Sequence, residues 1–195
     1  MTHFGRHILT LIFLSGLAQG ICAEPSALDR TSIPIAAPDY PAITEIDATK
    51  VQPPPLQVIS PPKKAPNIVL ILTDDVGYGG PSKFGSPVDS PALGRLARDG
   101  RRYTRVHTTA LCSPTRSALK AGRNHHMVNV GSVQEIATAF PGNTGQIPNT
   151  TAPLAEILRL NGYNTAAFGK WHETALTDTS VSGPQHNWPN RQGFE

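Results

Sequence analysis

Residues 112–123 read Cys-Ser-Pro-Thr-Arg-Ser-Ala-Leu-Lys-Ala-Gly-Arg, a cysteine followed at once by helix-start signals. Ser113 suits an N-cap and Pro114 a first helical position, where a missing N–H does no harm. Gly122 supplies the stop. This places Cys112 at the positive end of a short helix, with Arg116 one turn along. Free N–H groups, the helix dipole and a guanidinium make an anion site beside a nucleophile.

Three further groups carry chemical potential. Asp74 and Asp75 are adjacent carboxylates, whose like charges are costly together unless a cation or proton intervenes. They suit Ca²⁺ or Mg²⁺, or else one caps a turn while the other is solvated. Gly169-Lys170-Trp171-His172 brings a cation and a titratable ring together. His107, His125, His126 and His172 fit no common zinc spacing such as H-E-x-x-H, and no cysteine pair accompanies them. His107 reads as an ordinary strand histidine. His125 and His126 either line a pocket entrance or are solvated loop residues.

The elements that must position these groups begin at Asn67. Ile68-Val69-Leu70-Ile71-Leu72 is a continuous aliphatic run, the pattern of a strand buried on both faces of a parallel sheet, with Asp74 and Asp75 at its carboxyl end. Ser90-Pro91 opens a helix with Leu93, Leu96 and Ala97 on one face and Gly100 at its close. Residues 103–108 read as a strand, and the Cys112 helix follows. Residues 124–150 are rich in Gly, Asn and Thr and read as an active-site loop region. Pro153 opens another helix, with Leu154, Ile157 and Leu158 on one face and Gly162 as stop. Residues 163–168 form a strand that ends at Lys170 and His172. Alternation of strand and helix predicts an α/β fold with a mainly parallel sheet and flanking helices. Ligands in such sheets bind outside the carboxyl strand ends, where these groups converge.

The first 23 residues have the form of an export signal. Arg6 opens it, 8–17 is a short apolar core, and Ala18-Gln19-Gly20 or Ile21-Cys22-Ala23 offers the cleavage site. The core is too short for a stable membrane span, and bulky Ile21 disfavours a lipid anchor at Cys22. The chain is therefore expected to be periplasmic or secreted. Cleavage leaves Cys112 as the lone cysteine, either inert and buried or chemically used. Residues 24–66 hold ten of the 19 prolines and no apolar periodicity, and read as an extended linker. The formal charge is only +3, without a basic cluster interleaved with aromatics, which excludes a nucleic-acid partner.

The cysteine run resembles the sulfatase signature, Cys-x-Pro-x-Arg followed by Gly-Arg. NIVLILTDDVGYG over 67–79 resembles the opening of the sulfatase domain, GKWH resembles its second motif, and 184–195 resembles the segment that follows. Arylsulfatase-like bacterial enzymes are the nearest resemblance. It implies an alkaline-phosphatase-like catalytic domain, of which 67–195 is the amino-terminal part. It implies that a maturation enzyme oxidises Cys112 to formylglycine, whose hydrate attacks a sulfate ester, either a small molecule or a sulfated glycan. Asp74, Asp75 and residue 112 would ligate calcium, with magnesium less favoured. Lys170 would contact sulfate, and His172 would hydrogen-bond the hydrate and take part in its proton traffic. Arg116 would join Lys170 in offsetting the ester's charge.

The sequence departs from that family pattern in places. Gly94 stands where an acidic residue is usual, and Lys120-Ala121 where Leu-Thr or Leu-Ser is usual; Lys120 is expected to face solvent. The family's later metal and substrate ligands lie beyond residue 195. Asp74 and Asp75 offer at most four oxygens and residue 112 one more, against roughly six to eight for Ca²⁺. The chain is therefore expected to be inactive alone. Two other functions stay open at this point: a formylglycine-dependent phosphonate or phosphate ester hydrolase, and a non-catalytic exported binding protein.

Overall fold

The computed structural model describes residues 28–54 and 56–195. The export signal and Cys22 lie outside the described residues. Among the described residues, three α-helices form where start and stop signals coincide: α1 is Pro91–Asp99, α2 is Cys112–Ala121 and α3 is Leu154–Leu160. Ser90 precedes α1 and Gly100 closes it, its N–H donating to Leu96 O. Gly122 ends α2 in the left-handed region, φ 62°, with its N–H on Ala118 O. Pro153 is the N-cap of α3, and Asn161 rather than Gly162 is its C-cap. α2 packs on α3, and α1 on the short turn Ser82–Phe84.

No strand is present among the described residues. The segments 68–72, 103–108 and 163–168, expected as strands, are without regular structure and join no ladder. The reason is visible in their surroundings. Ile68, Val69, Leu70 and Ile71 are 56%, 82%, 56% and 76% exposed, so neither face of this run is covered. A strand with bare faces and edges leaves its backbone groups to solvent. Residues 67–72 and 163–168 instead line a cavity of about 680 Å³, with Leu119, Leu154, Leu158 and Phe194. The apolar face expected on α1 is also bare, with Leu93 and Leu96 exposed.

What is buried is small and mostly polar. Val128, Val130, Ala155 and Ala175 are accompanied by Ser117, Gln134, Glu173, Asp178 and Asn187. These polar groups pay for burial through hydrogen bonds. Asn187 Nδ2 donates to Gln146 Oε1 at 2.8 Å and Asp178 Oδ2 at 3.2 Å, and Trp188 Nε1 donates to Asp178 O at 2.6 Å. Residues 124–150 are a chain of turns cross-tied by Asn129. Its side chain receives Gly142 N–H at 3.0 Å and donates to Gln146 O at 3.3 Å. Part of the proline-rich segment packs against the rest: Arg30 donates to Asn161 O and Oδ1 at 3.0 and 3.1 Å, and Ile35 is buried.

Candidate active site

Cys112 is the first residue of α2, and Leu111, extended at φ −130°, ψ 153°, is the N-cap. The helix thus starts two residues earlier than Ser113 as N-cap predicts. Its first backbone bond runs from Thr115 N to Leu111 O at 3.3 Å. Thr109 sets this entry. Its hydroxyl lies 2.6 Å from that of Thr115, donates to Leu111 O at 2.8 Å and accepts Leu111 N–H at 3.3 Å. Ser113 is fully buried inside the first turn, and its Oγ has no hydrogen-bond partner among the described residues. The sulfur still stands at the helix's positive end, as the dipole argument requires.

The loop after residue 168 crosses this helix end. Cys112 Sγ lies 2.9 Å from His172 Nδ1. His172 holds a left-handed backbone, φ 57°, unusual for a residue with a Cβ and a mark of imposed geometry. Lys170 Nζ binds Asp74 Oδ2 at 2.7 Å, and Arg116 lies 3.4 Å from Asp74 Oδ1 while donating to Lys170 O at 2.9 Å. The hydrogen bond from Lys170, aided by the Lys170 and Arg116 charges, holds the Asp74 carboxyl below its usual range. The same hydrogen bond is the main cause holding the Lys170 ammonium above its own. One carboxylate therefore ties together two cations from distant parts of the chain.

Asp74, Cys112, Arg116, Lys170 and His172 are brought together. Asp75, the residue after Asp74, takes φ 52°, and no hydrogen bond or ion pair ties its side chain to these groups among the described residues. His125 and His126 serve their own loop. Their Nδ1 atoms face Val130 O at 3.2 Å and Gly142 O at 3.3 Å, and the rings lie 4.2 Å apart.

Lys120 does not face solvent. Its Nζ lies 2.6 Å from Glu173 Oε2 and 3.5 Å from the centre of the Trp171 ring, with its side chain 13% exposed. Ser117 Oγ donates to Glu173 Oε1 at 3.0 Å. Lys120 turns inward because Glu173, 2% exposed on its side chain, needs a counter-charge. Burial pushes the Glu173 carboxyl up and the Lys120 ammonium down, each partly offset by the other's charge. The pair fastens α2 to the loop that carries Lys170 and His172.

One site residue escapes the sequence reading. Glu135, in the short turn Gln134–Ile136, lies 2.7 and 2.9 Å from His172 Nε2 through its two oxygens. Its only signal is being the sole acidic residue of 124–150.

Asp74 and Asp75 are hard oxygen donors of the kind a divalent cation takes. They fit in kind and fall short in number. Among the described residues no three His, Cys, Asp or Glu side chains are grouped to hold a metal.

A thiol at a helix N-terminus thus stands beside a histidine and a cluster of two cations on one carboxylate. Comparison with known proteins gives the chain a family. A sulfatase family model matches residues 66–195. An uncharacterized sulfatase of Schizosaccharomyces pombe is 37% identical over 139 residues, covering 68% of this chain and 24% of that protein. Arylsulfatase A of Bos taurus is 36% identical over 125 residues, 63% of this chain and 24% of its own length. Human steryl-sulfatase is 35% identical over 112 residues, 55% and 19% respectively. The chain belongs to the sulfatase family. It spans about a quarter of the length of the curated relatives it matches. Membership implies the alkaline-phosphatase-like α/β class, although the described residues form helices and turns alone.

Proposed function

We propose that the protein carrying this chain hydrolyses sulfate monoesters in the manner of an arylsulfatase, on a small sulfated molecule or a sulfated glycan. The observation that carries the reading is the 2.9 Å approach of His172 to Cys112 at the α2 N-terminus, beside the Arg116–Asp74–Lys170 cluster. Sulfatases generally depend on a formylglycine and a metal, and Cys112 is the residue a maturation enzyme would convert. The aldehyde hydrate would supply the hydroxyl that attacks sulfur. Asp74 and Asp75 are the carboxylates that would hold a hard dication, Ca²⁺ ahead of Mg²⁺, whose charge would offset that of the ester.

The chain's own residues then have distinct tasks. A sulfate ester carries negative charge that repels a nucleophile. Lys170 and Arg116 place positive charge where the leaving oxygen's charge grows, and α2 aims its free N–H groups at the same place. Asp74 keeps both cations pointed inward. His172 would take a proton from residue 112, a reading supported by the 2.9 Å approach of its Nδ1. The export signal at 1–23 supports a periplasmic or secreted location, where sulfate esters outside the cell are met. Among the described residues no helix is long and apolar enough to cross a membrane.

The test is turnover of 4-nitrophenyl sulfate against phenylphosphonate by the whole protein matured with a formylglycine-generating enzyme. Sulfate release that disappears in Cys112→Ala supports the reading. Preference for the phosphonate would move it to the neighbouring ester class. No turnover of either ester by fully converted protein would leave a non-catalytic binding protein.

A further inference from the structure

His172 meets partners on both ring nitrogens. Nδ1 faces Cys112 Sγ at 2.9 Å, and Nε2 faces the Glu135 carboxylate at 2.7 and 2.9 Å. An ionised carboxylate only accepts hydrogen bonds. The proton of a neutral His172 ring therefore sits on Nε2, and Nδ1 presents its lone pair to residue 112. We propose that Glu135 is a positioning residue: it fixes the His172 ring and its Nε2–H tautomer, so that Nδ1 presents its lone pair to residue 112. The identity of the reaction rests on the sulfatase reading; the tautomer does not.

The surrounding structure holds Glu135 in place. Gln134, next in the chain, is 2% exposed, and its Nε2 donates to Glu173 O at 3.2 Å, the residue after His172. Gly145, φ 72°, closes over the Gln134 side chain, where an added Cβ would come within 2.4 Å of Oε1. The turn bearing Glu135 is thus anchored to the backbone bearing His172. Its own backbone amide, then the His172 hydrogen bond, keeps the Glu135 carboxyl below its usual range and hence ionised. Glu135 is 56% exposed on its side chain, and an ion pair that open adds little stability. Its effect is expected in proton placement rather than in folding.

The experiment pairs nitrogen NMR with kinetics on the whole protein, ¹⁵N-labelled at histidine, as wild type, Glu135→Gln and Glu135→Ala. Wild type should show His172 as the Nε2–H tautomer. Glu135→Gln, whose amide oxygen still accepts, should keep it, while Glu135→Ala should lose the single tautomer. With 4-nitrophenyl sulfate, Glu135→Ala should lower kcat by about 10- to 100-fold, the size of effect seen when a carboxylate that orients a functional histidine is removed, with KM nearly unchanged. Glu135→Gln should restore most of that loss. A wild-type Nδ1–H tautomer overturns the proposal whatever the activity. So does a Glu135→Ala variant that keeps both tautomer and kcat. An inactive wild type that shows the Nε2–H tautomer contradicts the sulfatase reading and leaves the role of Glu135 standing.

Discussion

Asp74 holds Lys170 at 2.7 Å and Arg116 at 3.4 Å, so the two cations share one anchor but approach residue 112 from different elements. Each should act on developing charge rather than on ground-state binding. Arg116→Ala and Lys170→Ala are each expected to lower kcat on an aryl sulfate by the equivalent of about 2–4 kcal/mol, the range for single electrostatic donors. Steady-state kinetics check this, and a change confined to KM would contradict it. The Lys120–Glu173 pair makes a prediction about stability. Lys120→Met leaves a buried carboxylate without its counter-charge, a loss of about 3–5 kcal/mol near neutral pH. The sign of the pH dependence follows from Glu173, whose carboxyl burial already raises. A carboxyl raised in the fold favours folding when protonated, a contribution present at acid pH and lost as pH rises through the folded value. The Lys120→Met deficit should therefore shrink as pH falls toward the carboxylate range. Urea denaturation at two pH values measures it, and an equal deficit at both would exclude this account. At this scale Cys112, both cations, Asp74 and His172, which the structure brings together, were each legible as candidates because they sit in local motifs. The sequence could not show Glu135 or the inward turn of Lys120. Both depend on a partner far along the chain, His172 for one and Glu173 for the other.

The helices were legible because their signals are local. Proline near the start and glycine near the end mark α1, α2 and α3, with an apolar stripe between them in α1 and α3. The start of α2 lies two residues before the expected one because Thr109 and Thr115 set the entry, a pairing across six positions that single-residue cap preferences do not see. Gly122 tests the closing signal. It sits at φ 62°, and an added Cβ would meet nothing within 4 Å, so only the backbone opposes a side chain there. Gly122→Ala should destabilise by about 1–2 kcal/mol, the cost of a left-handed L-residue, with activity per folded molecule preserved. Thermal melts of the two proteins decide it, and an unchanged melting temperature would rule out the left-handed cap as a constraint. The strands behave differently. The run at 68–72 has the composition of a buried strand, but a strand exists only through neighbours that accept its backbone bonds and cover its faces. Composition states what a segment is suited to, and the described residues supply neither neighbour nor cover.

Across the whole molecule, exposed aliphatic side chains at 68–71, a bare α1 face and an open cavity of about 680 Å³ coexist with a small polar core. The 195-residue chain on its own should bind the dye ANS and melt over a broad range, since little apolar surface is removed from water. A sharp cooperative transition without dye binding would contradict this. The site groups are held by contacts of 2.7–3.4 Å near α2 and, among the described residues, by no sheet. Central to the proposed activity is that residue 112 acts as an aldehyde rather than a thiol. Peptide mass spectrometry of the whole active protein, read together with sulfate release, tests it most directly. The peptide containing residue 112 should carry an aldehyde, and activity should scale with the converted fraction across preparations. Full sulfatase activity from protein whose Cys112 is entirely thiol would contradict it.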